Sequence, residues 1–113
     1  MPHCIVEYSA SIAEQIEVPK LLRKTFEIIR DSGEFEPASI KLRAIAYEDV
    51  YSGLSEHSLV HIRLCILSGR STQQKKALSA SLLSQLSASL NMVKSLTVEV
   101  VDMDRDSYAK RVL

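Results

Sequence analysis

Two periods of apolar residues alternate along this chain. "HCIVEY" (3–8) has β-branched residues in a two-residue rhythm and predicts a first strand. In "SASIAEQIEVPKLLRKTFEIIRDSG" (9–33) the rhythm changes to a helical one. Pro19 would break a helix interior but suits a first turn. The pattern therefore predicts a short turn over 11–17, with Ser11 and Glu14 spaced as a capping box, and a helix from Pro19 to Ser32. Leu21, Leu22, Thr25, Phe26 and Ile29 form its apolar face, and Gly33 is the natural stop. Alternation returns in "SIKLRAIAYEDV" (39–50), with Ile40, Leu42, Ala44 and Ala46 facing one way and Lys41, Arg43, Ile45 and Tyr47 the other. "LVHIRLCIL" (59–67) is a third strand, with Val60, Ile62, Leu64 and Ile66 on one face. Ser71 and Gln74 have capping-box spacing ahead of a helix over 72–91. Leu78, Leu82, Leu86, Leu90 and Val93 form its apolar stripe. "SLTVEVVDM" (95–103) is the fourth strand, and a polar tail, "DRDSYAKRVL", ends the chain.

The element order is β-α-β followed by β-α-β. Residues 2–50 and 58–103 share one plan and similar length, so a single domain over 1–113 with a weak internal repeat is expected. The fold class is α+β: a four-stranded sheet with both helices on one face. The other face mixes Ile45, Tyr47, Cys65 and Leu67 with Arg43, His61 and Arg63. It is too apolar for water and too charged for a core, so an oligomer that partly covers it is expected.

Composition narrows the function classes. Hydrophobic residues make up 46% and charged residues 25%, ordinary for a globular protein. Fourteen basic residues balance 14 acidic ones, which argues against a general binder of nucleic acid or membrane surfaces. No apolar run is long enough for a membrane span, and the N-terminus lacks a signal-peptide layout, so a cytoplasmic protein is expected. Cys4 and Cys65 fit no metal spacing and read as reduced, packed thiols, with a cross-strand disulfide as the lesser alternative. There is no Gly-rich phosphate loop, metal cluster or Ser-His-Asp pattern, so neither metal nor cofactor is expected.

The topology brings separate residues together. In either common arrangement of two β-α-β halves, strands 3–8 and 59–67 are antiparallel neighbours. Pro2 then starts the first strand near Gly69, Arg70 and Ser71, which follow the third. If strand two runs parallel to strand one, Lys41 lies at the same end. A rim of cations and helix-start N–H groups suits carboxylates. Proline heading a strand has a bland reading too, since it loses no ladder bond there.

"MPHCIVEYS", "SIKLRA" and "LVHIRLCILSGRSTQQKKAL" resemble the 5-carboxymethyl-2-hydroxymuconate isomerases of the tautomerase superfamily. The resemblance covers about residues 2–103, and "PHxIVEYS" and "GRSxxxK" are its most specific pieces. It implies a homotrimer and an amino-terminal proline, Pro2, as the catalytic base once Met1 is removed. It implies Arg70 as the second catalytic residue, and Lys41, Arg43 and Ser71 as substrate-binding residues. Lys41 departs from the family's arginine, keeping the charge but losing the bidentate fork. The tail also departs from the family pattern in length and composition. The activity implied is a cofactor-independent isomerisation of an unsaturated hydroxy or oxo polycarboxylate, in aromatic-compound and homoprotocatechuate catabolism.

Each residue has a structural alternative. Arg70 reads as a solvated turn charge, although a cation at a helix start opposes the dipole. Lys41 and Arg43 read equally as interface or solvent cations. His3, His57 and His61 read as structural histidines, Glu7 as a partner of Arg63, and Tyr8 and Tyr47 as pocket or packing residues. Two other functions stay open: another cofactor-free reaction on the same scaffold, such as decarboxylation or hydration, and a non-catalytic oligomeric ligand-binding module.

Overall fold

The computed structural model describes residues 1–113. Strand β1 (His3–Ser9) leads through a 3-10 turn (Ala10–Glu14) into helix α1 (Val18–Asp31). A second 3-10 turn (Pro37–Ser39) precedes β2 (Lys41–Tyr47). The second half repeats the plan with β3 (Leu59–Leu67), α2 (Thr72–Ser87) and β4 (Ser95–Met103), and a last 3-10 turn (Arg105–Ser107) follows. The sheet order is β2-β1-β3-β4. β1 and β2 are parallel, β3 and β4 are parallel, and the two inner strands are antiparallel. This is the α+β arrangement that the repeat predicts.

The alternation along β3 explains the core. Val60, Ile62, Leu64 and Ile66 are each fully buried, with Cys4 and Val6 beside them on β1. Leu21, Ile28 and Ile29 of α1 and Leu78, Leu82 and Leu86 of α2 close over that face. The predicted stripe on α2 is buried throughout, but the helix ends at Ser87, not 91. Leu90 and Val93 complete the stripe from successive turns, their N–H groups bonded to the carbonyls of Leu86 and Leu90. Thr25, also fully buried, donates its hydroxyl to the Leu21 carbonyl at 2.7 Å. A polar side chain there is satisfied at little cost.

Of the two capping boxes that the sequence suggests, one forms and the other does not. Ser71 caps α2 as predicted: its hydroxyl accepts from the Gln74 N–H at 3.1 Å, and the Gln74 side-chain Oε1 accepts from the Ser71 N–H at 2.8 Å. The Ser11–Glu14 capping box does not form. The capping position of that short turn is Ser9, whose side chain makes no cap bond. The Ser9 hydroxyl instead accepts from the Leu59 N–H and donates to the Leu59 carbonyl, extending the β1–β3 ladder by one residue. Strand β2 is shorter than predicted, because Pro37–Ser39 forms a turn and pairing stops at Tyr47. Gly33 ends α1 with a φ of 75°, a conformation glycine adopts without strain.

The uncovered face carries His3, Ile5, Glu7, Arg43, Ile45, Tyr47, His61, Arg63, Thr97 and Glu99. Ile45 is 46% exposed and Tyr47 41%. Glu7 does not pair with Arg63; it accepts from the Tyr47 hydroxyl at 2.8 Å, which holds that phenol above its ordinary range. Arg63 approaches Glu99 at 3.9 Å, and His61 bridges Thr97 and Glu99. Cys4 faces the helices and Cys65, opposite His3, faces away from them, so this register gives no disulfide. Burial pushes the Cys4 thiol up to about 12.

Candidate active site

Pairing geometry places Pro2 where the sequence reading put it. His3 lies opposite Lys41 on one side and Cys65 on the other, so the start of β1, the start of β2 and the end of β3 share one rim. The Lys41 N–H donates to the Pro2 carbonyl at 3.1 Å, and the Pro2 ring is fully buried. After β3 the chain turns through Ser68 and Gly69 into α2. Gly69 has a φ of 128°, where a side chain would be strained even though there is room for a Cβ. That conformation turns the chain from β3 into Arg70.

Arg70 is held firmly. Its Nε donates to the Glu34 carboxylate at 3.0 Å and its Nη2 to the Glu34 carbonyl at 2.6 Å. The guanidinium lies 4.4 Å from the centre of the Phe35 ring. Two of its five N–H groups are engaged with Glu34, so three remain for a ligand. Glu34 and Phe35 belong to the loop after α1, read from sequence only as a connection. Their part depends on the packing of the two halves, which no local pattern reveals.

The other predicted residues are divided. Lys41 is exposed at the rim, and its ammonium donates to the Ser39 carbonyl at 3.2 Å. Arg43 lies one strand repeat further along the open face and donates to His3 Nδ1 at 3.2 Å. Arginine can only donate, so Nδ1 accepts, and Nε2–H donates to the Tyr108 hydroxyl at 2.9 Å. His3 is therefore held neutral. Burial, then Arg43, Lys41 and the terminal amine, lower its pKa from the ordinary 6.5. Ser71 commits its hydroxyl to the cap of α2.

The tail, a polar end by its sequence, returns to this rim. Asp104 accepts from the Asp106 N–H at 3.0 Å and turns the chain. Arg105 then donates to the Ser68 carbonyl, and Tyr108 reaches His3. The terminal amine at Met1 reports the resulting field. Burial first, then Lys110, Arg70, Lys41 and Arg105, lower it from its ordinary 8.0. Burial and four cations thus act on one point beside Pro2. The rim supplies donors for carboxylates, and no group of three or more His, Cys, Asp or Glu side chains is placed to hold a metal ion.

Residues 2–111 match the family described as 5-carboxymethyl-2-hydroxymuconate isomerase. The chain belongs to that family. It is 33% identical over 79 residues to the 5-carboxymethyl-2-hydroxymuconate Delta-isomerase of Escherichia coli. That match spans 67% of this chain and 62% of the relative's length. A crystal structure of a 5-carboxymethyl-2-hydroxymuconate isomerase from Deinococcus radiodurans R1 is 27% identical, with a TM-score of 0.74, over 97% of this chain and 88% of that one. A fused 4-OT symmetric trimer shares the fold at 21% identity, with a TM-score of 0.75, over 96% of this chain and 90% of that one. The sequence places Pro2, Lys41 and Arg70 at one rim, whereas Glu34, Arg105 and Tyr108 join it only through contacts distant in sequence, and Lys110 through its charge. The only local signal for the last three was the tail's own basic and aromatic content.

Proposed function

We propose that this protein is a cofactor-independent isomerase acting on an unsaturated hydroxy or oxo polycarboxylate such as 5-carboxymethyl-2-hydroxymuconate. The observation that carries this reading is the rim at which Pro2, Lys41 and the turn leading to Arg70 meet, with Arg105 bonded to Ser68 in that turn, in a chain of this family. With Met1 removed, Pro2 presents a secondary amine. Burial and nearby cations lower the terminal amine at Met1, and the same surroundings favour the free base over the ammonium at Pro2. The neutral amine takes a proton from the substrate's hydroxyl or carbon. The electron pair left behind shifts along the conjugated chain, and the ammonium returns the proton to another carbon. Nothing is oxidised and no group is lost. Arg70 binds a carboxylate and stabilises negative charge as it develops. Lys41 and Arg43 hold further carboxylates, and the exposed Ser71 lies beside Arg70 at the same turn.

The working form is a homotrimer with the sheets toward the centre and the helices outside. The half-apolar open face with Ile45 and Tyr47 supports this, as does the likeness to a symmetric trimer. Ultraviolet assays with phenylenolpyruvate, 2-hydroxymuconate and its 5-carboxymethyl derivative test the reaction. Isomerisation of the carboxymethyl compound is expected. Turnover of none of the three, by protein beginning at Pro2, would overturn the reading. Light scattering at micromolar concentration tests the assembly, and a stable monomer would refute it.

A further inference from the structure

We infer that the C-terminal tail is the part of the site that reads the substrate's distal carboxylate, through Arg105 and Lys110. This rests on the isomerase reading above and goes beyond it by assigning substrate charge to particular residues. Three observations carry it. The tail is fixed, not loose: Arg105 donates to the Ser68 carbonyl in the turn before Arg70, and Tyr108 is bonded to His3 next to Pro2. Its guanidinium lies 3.6 Å from where a side chain on Gly69 would begin, so it borders the Gly69–Arg70 turn directly.

The second observation is the lack of compensation. The chain as a whole is neutral, and six ion pairs form between Lys or Arg and a carboxylate. None of them involves Lys41, Arg43, Arg105 or Lys110. Three acids near the rim are engaged elsewhere. Glu34 takes Arg70, Asp102 takes Lys75, and Asp104 caps its own turn. Asp106, in that turn, pairs with no cation. Cations that form no ion pair of their own are free to bind an anionic ligand.

The third observation is that the rim's cations come from different segments. Arg70 is fixed from the α1 side by Glu34, while Arg105 and Lys110 come from the opposite end of the chain. Cations from two segments offer a polycarboxylate more than one point of attachment. Arg70 and Lys41 hold the reacting end, and the tail cations hold the far one. Tyr108 is a positioning residue that keeps the tail in place through His3.

The test compares two substrates and one inert probe. For the Arg105→Gln, Lys110→Gln double variant, kcat/KM on 5-carboxymethyl-2-hydroxymuconate should fall about 100-fold, mostly through KM. The loss on phenylenolpyruvate, which has one carboxylate, should be at least about tenfold smaller. Arg105→Lys should recover most of the discrimination, and Tyr108→Phe should weaken it through KM. Lys110 is exposed, so Lys110→Gln alone gives a folded reference, checked by circular dichroism. Calorimetric titration with tricarballylate, a saturated tricarboxylate, separates the two proposals. If neither substrate turns over, the isomerase reading fails, and tricarballylate binding at least about tenfold tighter to the unsubstituted protein than to the double variant then keeps only the tail's part in holding a polycarboxylate. Equal losses on both substrates, or unchanged tricarballylate binding in the double variant, would overturn it.

Discussion

Replacing Arg70 separates its structural role from its chemical one. The side chain is 22% exposed and Glu34 28%, so their ion pair is neither fully solvated nor deeply buried. An exposed pair contributes up to about 1 kcal/mol. The bond to the Glu34 carbonyl adds about 1.5 kcal/mol, and the contact with Phe35 about 0.5–1 kcal/mol. Arg70→Ala should therefore lose about 2–3 kcal/mol, lowering the melting midpoint of a domain this size by roughly 8–12 °C. Glu34→Gln keeps the shape and an acceptor but removes the charge, and should cost about 1 kcal/mol. Activity should not follow stability. Assayed well below both midpoints, Arg70→Ala should lose about 100–1,000-fold in kcat/KM, the usual loss for a group that stabilises developing charge. Glu34→Gln, which only loosens Arg70, should lose about fivefold. Calorimetric melting and steady-state kinetics on the same preparations measure both. If Arg70→Ala stayed within about threefold of the parent while melting lower, Arg70 would be only a clamp between the two halves. If Glu34→Gln lost as much activity as Arg70→Ala, the division between holder and ligand would be wrong.

Three further outcomes are expected. Lys41→Ala should raise KM with kcat little changed, since Lys41 is exposed and its ammonium bonds only the Ser39 carbonyl; a fall in kcat with unchanged KM would place Lys41 in the chemistry. Ser71→Ala should cost about 0.5–2 kcal/mol in urea unfolding through loss of the α2 cap. An unchanged urea midpoint would show that the cap contributes nothing. The lowered pKa of His3 makes stability pH-dependent: the unfolded chain takes up the proton first, so stability should fall as pH drops from about 6.5 toward the lowered value. His3→Gln should remove that component, and urea midpoints with the same slope against pH in both proteins would contradict it.

The parts of the fold legible in the sequence are those set by local periodicity. β3 runs over Leu59–Leu67 as expected, because its alternating apolar residues are bounded by polar turns. The Ser71–Gln74 box and the Gly33 stop are short-range features fixed by neighbours three or fewer residues away. The Ser11 box fails for a tertiary reason: Ser9 takes the cap position, and its hydroxyl is drawn to Leu59, 50 residues distant. The site divides along the same line. Pro2, Lys41 and Arg70 follow from strand pairing once two β-α-β halves are recognised. Arg105, Tyr108 and Lys110 do not, because the bond joining Tyr108 to His3 spans 105 residues. The Glu34–Arg70 pair likewise joins the two halves and leaves no periodic trace.

The central claim is that the Pro2 nitrogen is the base, and processing of Met1 tests it directly. With Met1 attached, that nitrogen is a tertiary amide with neither a basic lone pair nor a proton to carry. The fold should be indifferent, because Pro2 donates no ladder bond in either state. Protein retaining Met1 and protein beginning at Pro2, distinguished by intact mass, should show the same circular dichroism and the same oligomeric state. The processed form should turn over 5-carboxymethyl-2-hydroxymuconate, and the unprocessed form should be nearly inactive. Equal turnover by the two forms would mean that Pro2 is not the base.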